Sequence, residues 1–166
     1  YVYTPDSNQN YWTQLFLSLG VDVVIGTHPH VLEPVEVVSD TKGHEMLVYY
    51  SLGNFVSNQD QKPRMIGGMA KMTLVKDETG CYVKNYNLTP VITQKLFGKK
   101  AITTYKLSDY TESLASGNAI RNDSGCSDFS LSYCQTLVKQ ILGDDYDEST
   151  SELNVSLHPD GLVKDT

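Results

Sequence analysis

Two histidines one residue apart, His28 and His30, are the residues of this sequence best suited to metal chemistry. Neutral imidazole is a common ligand of zinc and of transition metals, and two held side by side supply half of a tetrahedral site. They follow an apolar, β-branched run at 21–25, which predicts a strand buried on both faces. Open α/β sheets bind ligands just past the C-terminal ends of such strands.

The backbone around the pair is expected to be extended. Pro29 lies between the two histidines and disfavours helical backbone at His28, so both side chains are predicted to point the same way. The alternative is a loop in which both histidines are hydrogen-bonded surface groups.

Three side chains close to the histidines in sequence are candidates for the same site. Asn54 follows Gly53, and its side-chain oxygen can line a metal cavity; alternatively, Asn54 adopts the left-handed conformation and closes a turn. Glu33 and Glu36 can accept hydrogen bonds from imidazole N–H groups, although a solvated strand face is the more ordinary place for both.

Apolar periodicity predicts a chain of mixed helices and strands. A helix is predicted at 7–19, with Asp6 or Ser7 as its N-cap, and another at 128–142, with one apolar face. Strands are predicted at 21–26, 31–39, 46–50, 69–76, 81–95 and 101–107, with a hairpin over 35–50, a break at Pro90 and a mobile polar loop at 59–64.

Length and charge restrict the classes of function. A chain of 166 residues is large enough to bury a core and predicts one domain. The formal net charge of −7 disfavours binding to nucleic acid. An anionic polymer would also be repelled overall, so such a substrate needs a local positive site, which a metal can supply.

The cysteines and the C-terminal residues carry weaker signals. Cys81, Cys126 and Cys134 are an odd number without a C-x-x-C motif, which excludes a disulfide framework and a thiolate zinc site. Cys134 is expected to be a small buried apolar residue, and it can pair with Cys126 only if the chain folds back. Residues 144–166 are acidic and poorly patterned, so a loosely packed tail is predicted after a domain of residues 1–143.

Two blocks of the sequence resemble a known family. Residues 20–36, which contain G-T-H-P-H, and residues 50–55, Y-S-L-G-N-F, closely resemble the bacterial capsule-synthesis family typified by CapA. That family is associated with poly-γ-glutamate capsules and is similar to calcineurin-like metallophosphoesterases. The resemblance implies an α/β (α+β) fold, namely the C-terminal part of a metallophosphoesterase β-sandwich flanked by helices.

The resemblance also implies a site. In calcineurin-like enzymes a late G-H-x-H segment gives two ligands to a dinuclear metal centre, which implies that His28 and His30 bind divalent ions (Mn, Fe, Zn or Mg) and favours a place for Asn54 beside them. The family's earlier ligands, including an aspartate and a His-Trp-Gly block, are missing from this sequence. We therefore expect the C-terminal portion of a longer protein, inactive by itself.

For the intact protein, the resemblance implies a metal-dependent phosphoesterase-like hydrolase in capsule or poly-γ-glutamate synthesis, acting on an anionic polymer or a phosphoester. The alternative is a non-catalytic scaffold or polymer-handling subunit of a capsule synthesis or export complex. An extracytoplasmic, membrane-associated or cell-surface location in a bacterium is also implied. Because both halves of such a fold build its sheets, we expect exposed sheet edges and self-association of this chain.

Overall fold

The computed structural model of the chain describes residues 3–78, 80–96 and 101–157. Within them the helices and strands follow the apolar pattern of the sequence, with Asp6 capping the first helix and Ser130 capping the last. The helices are α1 (Ser7–Ser18), α2 (Glu112–Ser116) and α3 (Leu131–Leu142), and the strands are β1 (Val23–Ile25), β2 (Val35–Ser39), β3 (Glu45–Tyr49), β4 (Ile66–Asp77), β5 (Gly80–Leu96), β6 (Ala101–Lys106), β7 (Tyr146–Asp147) and β8 (Glu152–Ser156).

The first sheet has three strands in the order β1-β3-β2. β2 and β3 form the predicted antiparallel hairpin, while β1 pairs parallel to β3. The C-terminal ends of β1 and β3 therefore lie at the same edge of the sheet. The two segments that carry His28, His30 and Asn54 leave the sheet at that edge.

The second sheet has five strands built around β5, the longest one. β4 pairs along one side of β5, and β8 and then β6 pair along the other side. β7 extends the sheet beyond β8. All of these pairings are antiparallel. Short connections join β4 to β5, β5 to β6 and β7 to β8, whereas β8 returns to β5 from a distant part of the chain.

The predicted break at Pro90 is wrong, because β5 runs through it. Pro90 pairs with Gly68, whose N–H donates away from β5 to the carbonyl of Leu52. The Pro90 nitrogen therefore also points away from β4, into the gap between the residues that pair with β8 and those that pair with β6. No ladder hydrogen bond is lost there, so proline is tolerated inside a long strand.

The first sheet is the middle layer of the fold. On one face Met46, Val48 and Tyr50 pack with Leu17 of α1. On the other face Leu47 and Tyr49 join the main core, where the ring of Tyr49 meets the ring of Tyr86 edge-on at 6.3 Å. The buried face of α3 also joins this core; it consists of the residues expected from the sequence, Cys134, Leu137, Val138, Ile141 and Leu142.

Helices combined with a mixed sheet and a separate antiparallel sheet confirm the α+β class. Cys126 and Cys134 are both buried and free, so they do not form a disulfide. Not one of the helices in the described part of the chain combines the length and the hydropathy needed to cross a bilayer.

Two predictions about packing are wrong. β1 is not buried on both faces: it is an edge strand, and Ile25 is 51% exposed. The C-terminal residues are not loosely packed over 144–157, because β7 and β8 belong to the second sheet and bury Tyr146 and Leu153. Val155 and Leu157 pack against the same core, so four apolar side chains anchor this acidic segment. Residues 158–166 lie outside the described residues.

We expect Leu153→Ala to lower the free energy of unfolding by about 2–5 kcal/mol, because it removes a side chain that is 1% exposed in the core. The matched control is Leu74→Ala on β4, where the same change removes a side chain that is 64% exposed and should cost less than about 0.5 kcal/mol. Urea denaturation measures both values. Equal effects of the two changes would show that β8 does not hold the second sheet together.

Candidate functional site

The site begins where two parallel strands end. After β1 the chain stays close to β3, because the N–H of Gly26 donates to the carbonyl of Tyr49 at 2.7 Å. After β3, the N–H of Leu52 donates back to the carbonyl of Gly26 at 3.3 Å. These two bonds hold the histidine segment and the 51–54 segment side by side at one edge of the sheet.

The backbone at both histidines has positive φ, which corrects the prediction of an extended segment. φ is +102° at His28 and +61° at His30, values that residues other than glycine seldom adopt. Pro29 does restrain its neighbours, but the turn toward the buried Val31 requires a tighter path than an extended chain allows. Such conformations cost roughly 1–3 kcal/mol each and concentrate at functional sites.

Both imidazole rings are exposed, with their centroids 6.4 Å apart. His28 has no hydrogen bond to its ring from any described residue. The ring of His30, by contrast, lies against Asn54, with Nδ1 2.8 Å from Oδ1.

Asn54 is the buried part of the site, 8% exposed, and its orientation is determined by two carbonyl groups. Its Nδ2 donates to the carbonyl of His30 at 3.2 Å and to the carbonyl of Arg64 at 3.0 Å. Since a carbonyl only accepts, the amide nitrogen must face these two oxygens, and Oδ1 must face the His30 ring. The ring nitrogen that meets Oδ1 must then be the donor.

This arrangement selects one tautomer of His30. With the proton on Nδ1, the Nε2 lone pair is available to a metal ion, as in histidine ligands whose other N–H donates to an oxygen. Asn54 therefore orients a candidate ligand, and its oxygen is occupied by that ring instead of lining a cavity. The alternative of a left-handed Asn54 is wrong, because Gly53 takes that conformation with φ +61°.

A close approach of two backbones holds Asn54 in place. Gly53 forms a bridge with Gly67 of β4, and a Cβ atom on Gly67 would lie 2.2 Å from the carbonyl oxygen of Asn54. Any residue larger than glycine at position 67 would displace the 51–54 segment. Gly67 is thus a site-positioning residue that the sequence alone did not single out.

Glu33 lies behind the histidine segment and is 4% exposed. Its carboxylate accepts a hydrogen bond from Gln9 Nε2 at 2.5 Å, and Gln9 also closes the capping box of α1 with Asp6. The pKa of Glu33 is raised above its ordinary value, mainly because the carboxyl group is buried. The hydrogen bond from Gln9 partly offsets this rise, and the nearby charge of Asp6 adds to it. The D-x-x-Q pattern at 6–9 signals this cap, but its contact with Glu33 depends on the tertiary fold.

Glu36 is exposed on β2, beside the hydroxyl of Tyr50. Burial raises the pKa of Tyr50, a hydrogen bond from Thr13 lowers it, and the Glu36 carboxylate raises it again. No described hydrogen bond joins Glu33 or Glu36 to an imidazole, so a supporting role for either carboxylate stays a prediction.

The number of possible metal ligands is small in the described part of the chain. Among residues 3–78, 80–96 and 101–157, no three His, Cys, Asp or Glu side chains are grouped so that they could hold a metal ion. The geometry therefore offers two imidazoles, one of them oriented, and not a full ligand set.

Comparison with known proteins gives matches to one family. Residues 1–59 match the family model described as bacterial capsule synthesis protein PGA_cap. The chain is 33% identical over 87 residues to the PGA biosynthesis protein CapA of Bacillus subtilis (strain 168), which covers 52% of this chain and 20% of that protein. It is 34% identical over 55 residues to the capsule biosynthesis protein CapA of Bacillus anthracis, which covers 33% of this chain and 12% of that protein. The match thus spans a fifth or less of either relative, and no solved structure matches the chain.

We expect His30 to carry its proton on Nδ1 at neutral pH and Asn54→Ala to abolish that preference, because the only described acceptor for Nδ1–H is then lost. Long-range ¹⁵N–¹H correlation spectra of the imidazoles report the tautomer directly. His28 is the control within the same chain and should keep the Nε2–H form that free imidazole favours. A His30 ring protonated mainly on Nε2 would contradict the assigned orientation of Asn54.

Proposed function

We propose that the protein acts in capsule or poly-γ-glutamate synthesis through a metal-dependent, phosphoesterase-like hydrolase site that includes His28 and His30. The proposal is supported by the match of residues 1–59 to the family model of bacterial capsule synthesis proteins and by the similarity to CapA of Bacillus subtilis. The observation that carries the proposal is the contact between His30 Nδ1 and Asn54 Oδ1 at 2.8 Å. It leaves the opposite ring nitrogen free at an exposed position.

The residues present fit a divalent metal as a partial ligand set. His30 and His28 would bind it through neutral imidazoles, and Asn54 would keep the His30 ring in place. A bound divalent ion would lower the pKa of a coordinated water and offset charge on the oxygens of the attacked group. The remaining ligands of such a centre would come from outside the matched segment.

A non-catalytic role is the second candidate, as a scaffold or polymer-handling subunit of a capsule synthesis or export complex. It is favoured by the described residues, which bring together fewer than three metal-binding side chains. Under either function we place the protein outside the cytoplasm of a bacterium, at the membrane or cell surface. The polymer or phosphoester that it handles would be anionic.

The metal site is tested by elemental mass spectrometry of the dialysed protein. We expect His28→Ala and His30→Ala to remove bound divalent metal and Asn54→Ala to weaken metal affinity by about 10–100-fold, because it removes a group that orients a ligand. His44→Ala is the matched control, since His44 bonds to the carbonyl of Val21 in another turn. Metal affinity should also fall as the pH is lowered, because a protonated imidazole cannot bind a metal ion.

Unchanged metal content in the two histidine variants would exclude the proposed metal site. Hydrolysis of a phosphodiester or an amide that follows metal content would support the enzyme. A protein that binds no metal but still restores capsule formation in a deletion strain would instead support the scaffold.

We also propose that this chain self-associates through α1 and the outer edge of β1. Tyr11 and Trp12 of α1 are 62% and 47% exposed, and β1 is an edge strand. Light scattering should give a mass above the monomer that falls on Trp12→Ser, because this change removes apolar contact area. Leu74→Ser, an exposed apolar residue of the second sheet, is the control. A monodisperse monomer at high concentration would rule self-association out.

A further inference from the structure

The second sheet carries a polar groove on the face that points away from the core. The cavity has a volume of about 810 Å³ and is lined mainly by alternate residues of β4, β5 and β8. These alternate with residues such as Leu88 and Leu153 that enter the core from the opposite face. His28, His30 and Asn54 are not among the residues that line this cavity.

The strand register places the side chains that line the groove in rows that run across β4, β5 and β8. Lys71, Asn87 and Asn154 form the central row, because Asn87 pairs with both of the others. Thr73, Asn85 and Ser156 form the next row in the same way. Neighbouring rows are about 7 Å apart along the strands, which is the repeat of an extended peptide chain.

The residue types of these rows are unusual for strands. Asparagine is depleted in β-sheets, yet Asn85, Asn87 and Asn154 lie on one face of two adjacent inner strands. Where local preference is violated without an evident structural gain, a functional reason is expected. Asn85 is exposed and has no described hydrogen bond through its side chain, so structure alone does not account for it.

The asparagines surround a carboxylate that has no cation bonded to it among the described residues. Glu152 accepts hydrogen bonds from Asn87 Nδ2 at 3.2 Å, Thr89 Oγ1 at 3.1 Å and Asn154 Nδ2 at 3.3 Å. Asn87 Nδ2 also donates to Asn154 Oδ1 at 2.7 Å. This network makes the middle of the groove a rigid, hydrogen-bonding surface with an acceptor at its centre.

Two lysines flank this centre. Lys71 lies opposite Asn87, and Lys106 lies opposite Val91, four residues further along β5. The two side chains are therefore offset by about 14 Å along the strands, the length of roughly four residues of an extended chain. The charged residues of the lining, among those described, are these two lysines and Glu152, so the groove carries a formal net charge of +1 in a protein of net charge −7. The lysines are thus positive contacts for an anionic chain on either side of the central carboxylate, which can accept from N–H groups of that chain.

The lining disfavours ligands that need stacking. Among its described residues the aromatic one is Tyr86, whose ring packs against Tyr49 in the core. Single-stranded nucleic acids require aromatic platforms for their bases, and sugar rings commonly use them as well. Amide side chains, in contrast, complement the N–H and C=O groups of a polyamide.

The groove leads toward the histidines. Gly67 shares its face of β4 with Met69 and Lys71, because alternate residues point to the same side. A Cβ atom on Gly67 would meet the backbone of Asn54, so the segment that positions His30 covers the groove at this end. A chain lying along the rows would run toward the candidate metal site.

We infer that the polar face of the second sheet binds an extended acidic polyamide, with carboxylates at Lys71 and Lys106 and backbone amides over the asparagine rows. This inference rests on the proposed function in taking an acidic polymer as the material handled, but not on metal binding.

The test measures binding of a fluorescein-labelled γ-linked oligoglutamate to the full chain by fluorescence anisotropy. Lys71→Ala/Lys106→Ala should weaken binding roughly tenfold, because two charged contacts are lost. Lys42→Ala/Lys76→Ala removes the same charge outside the groove and should leave affinity within about twofold. If both double variants lose the same affinity, binding depends only on the net charge of the protein, and the inference is overturned.

A second variant separates function from folding. Asn85→Thr introduces a better strand former, so it should keep or raise stability in urea while it weakens binding. Unchanged binding in Asn85→Thr would overturn the assignment of the asparagine rows. A contribution of the histidine site to polymer binding is measured with His28→Ala. If His28→Ala loses binding of the oligomer while Lys71→Ala/Lys106→Ala does not, the histidine site holds the polymer and the groove inference fails.

The ligand class is tested with two further probes. Binding of α-linked oligoglutamate with similar affinity would identify the shared polyamide and carboxylate chemistry as what the groove recognises, while preference for the γ-linked oligomer would assign it to the capsule polymer. Tighter binding of oligogalacturonate would assign the groove to an acidic polysaccharide instead. If no probe binds while metal content still depends on His28, the groove inference is wrong and the proposed function stands.

Discussion

The arrangement of this protein depends on one crossing of backbones, where the 51–54 segment passes between Leu32 and β4. Leu52 bridges to Leu32 on one side, and Gly53 bridges to Gly67 on the other, so a few residues join the two sheets. A Cβ atom on Gly53 would lie 2.7 Å from the carbonyl of Ile66. The crossing brings the two sheets onto one core and delivers Asn54 to the ring of His30, so stability and site geometry share the same contact.

Local sequence signals were sufficient where one element decides the outcome. The 3.6-residue pattern and the caps predicted α1 and α3, and turn residues around Gly43 predicted the β2–β3 hairpin. Local signals gave wrong predictions where the structure of a segment depends on residues far away in sequence. β1 was predicted to be buried, but no strand among the described residues covers its outer edge. Pro90 is tolerated because it faces the gap between β8 and β6, and β8 is ordered because it pairs with β5.

The site was predictable in part. A G-T-H-P-H turn after an apolar run identified His28 and His30, and the Y-S-L-G-N-F block identified Asn54. The contact between His30 and Asn54, which are 24 positions apart, requires parallel pairing of β1 and β3. Local sequence patterns do not predict which strands pair. The hydrogen bond between Gln9 and Glu33 likewise depends on the tertiary fold. The asparagines can be recognised as rows on one face only when the register of β5 and β8 is known.

The pairing of β5 with β8 also has a consequence for how the chain is made. The contact from Asn87 to Glu152 spans 65 positions, and β8 is the last strand of the described residues. At ordinary rates of translation, β5 therefore waits roughly 3–13 s with one side of residues 85–88 unpaired before its partner emerges from the ribosome. Its asparagines are poor strand formers and resist pairing with stray strands, so the residues that shape the mature groove also protect the nascent chain.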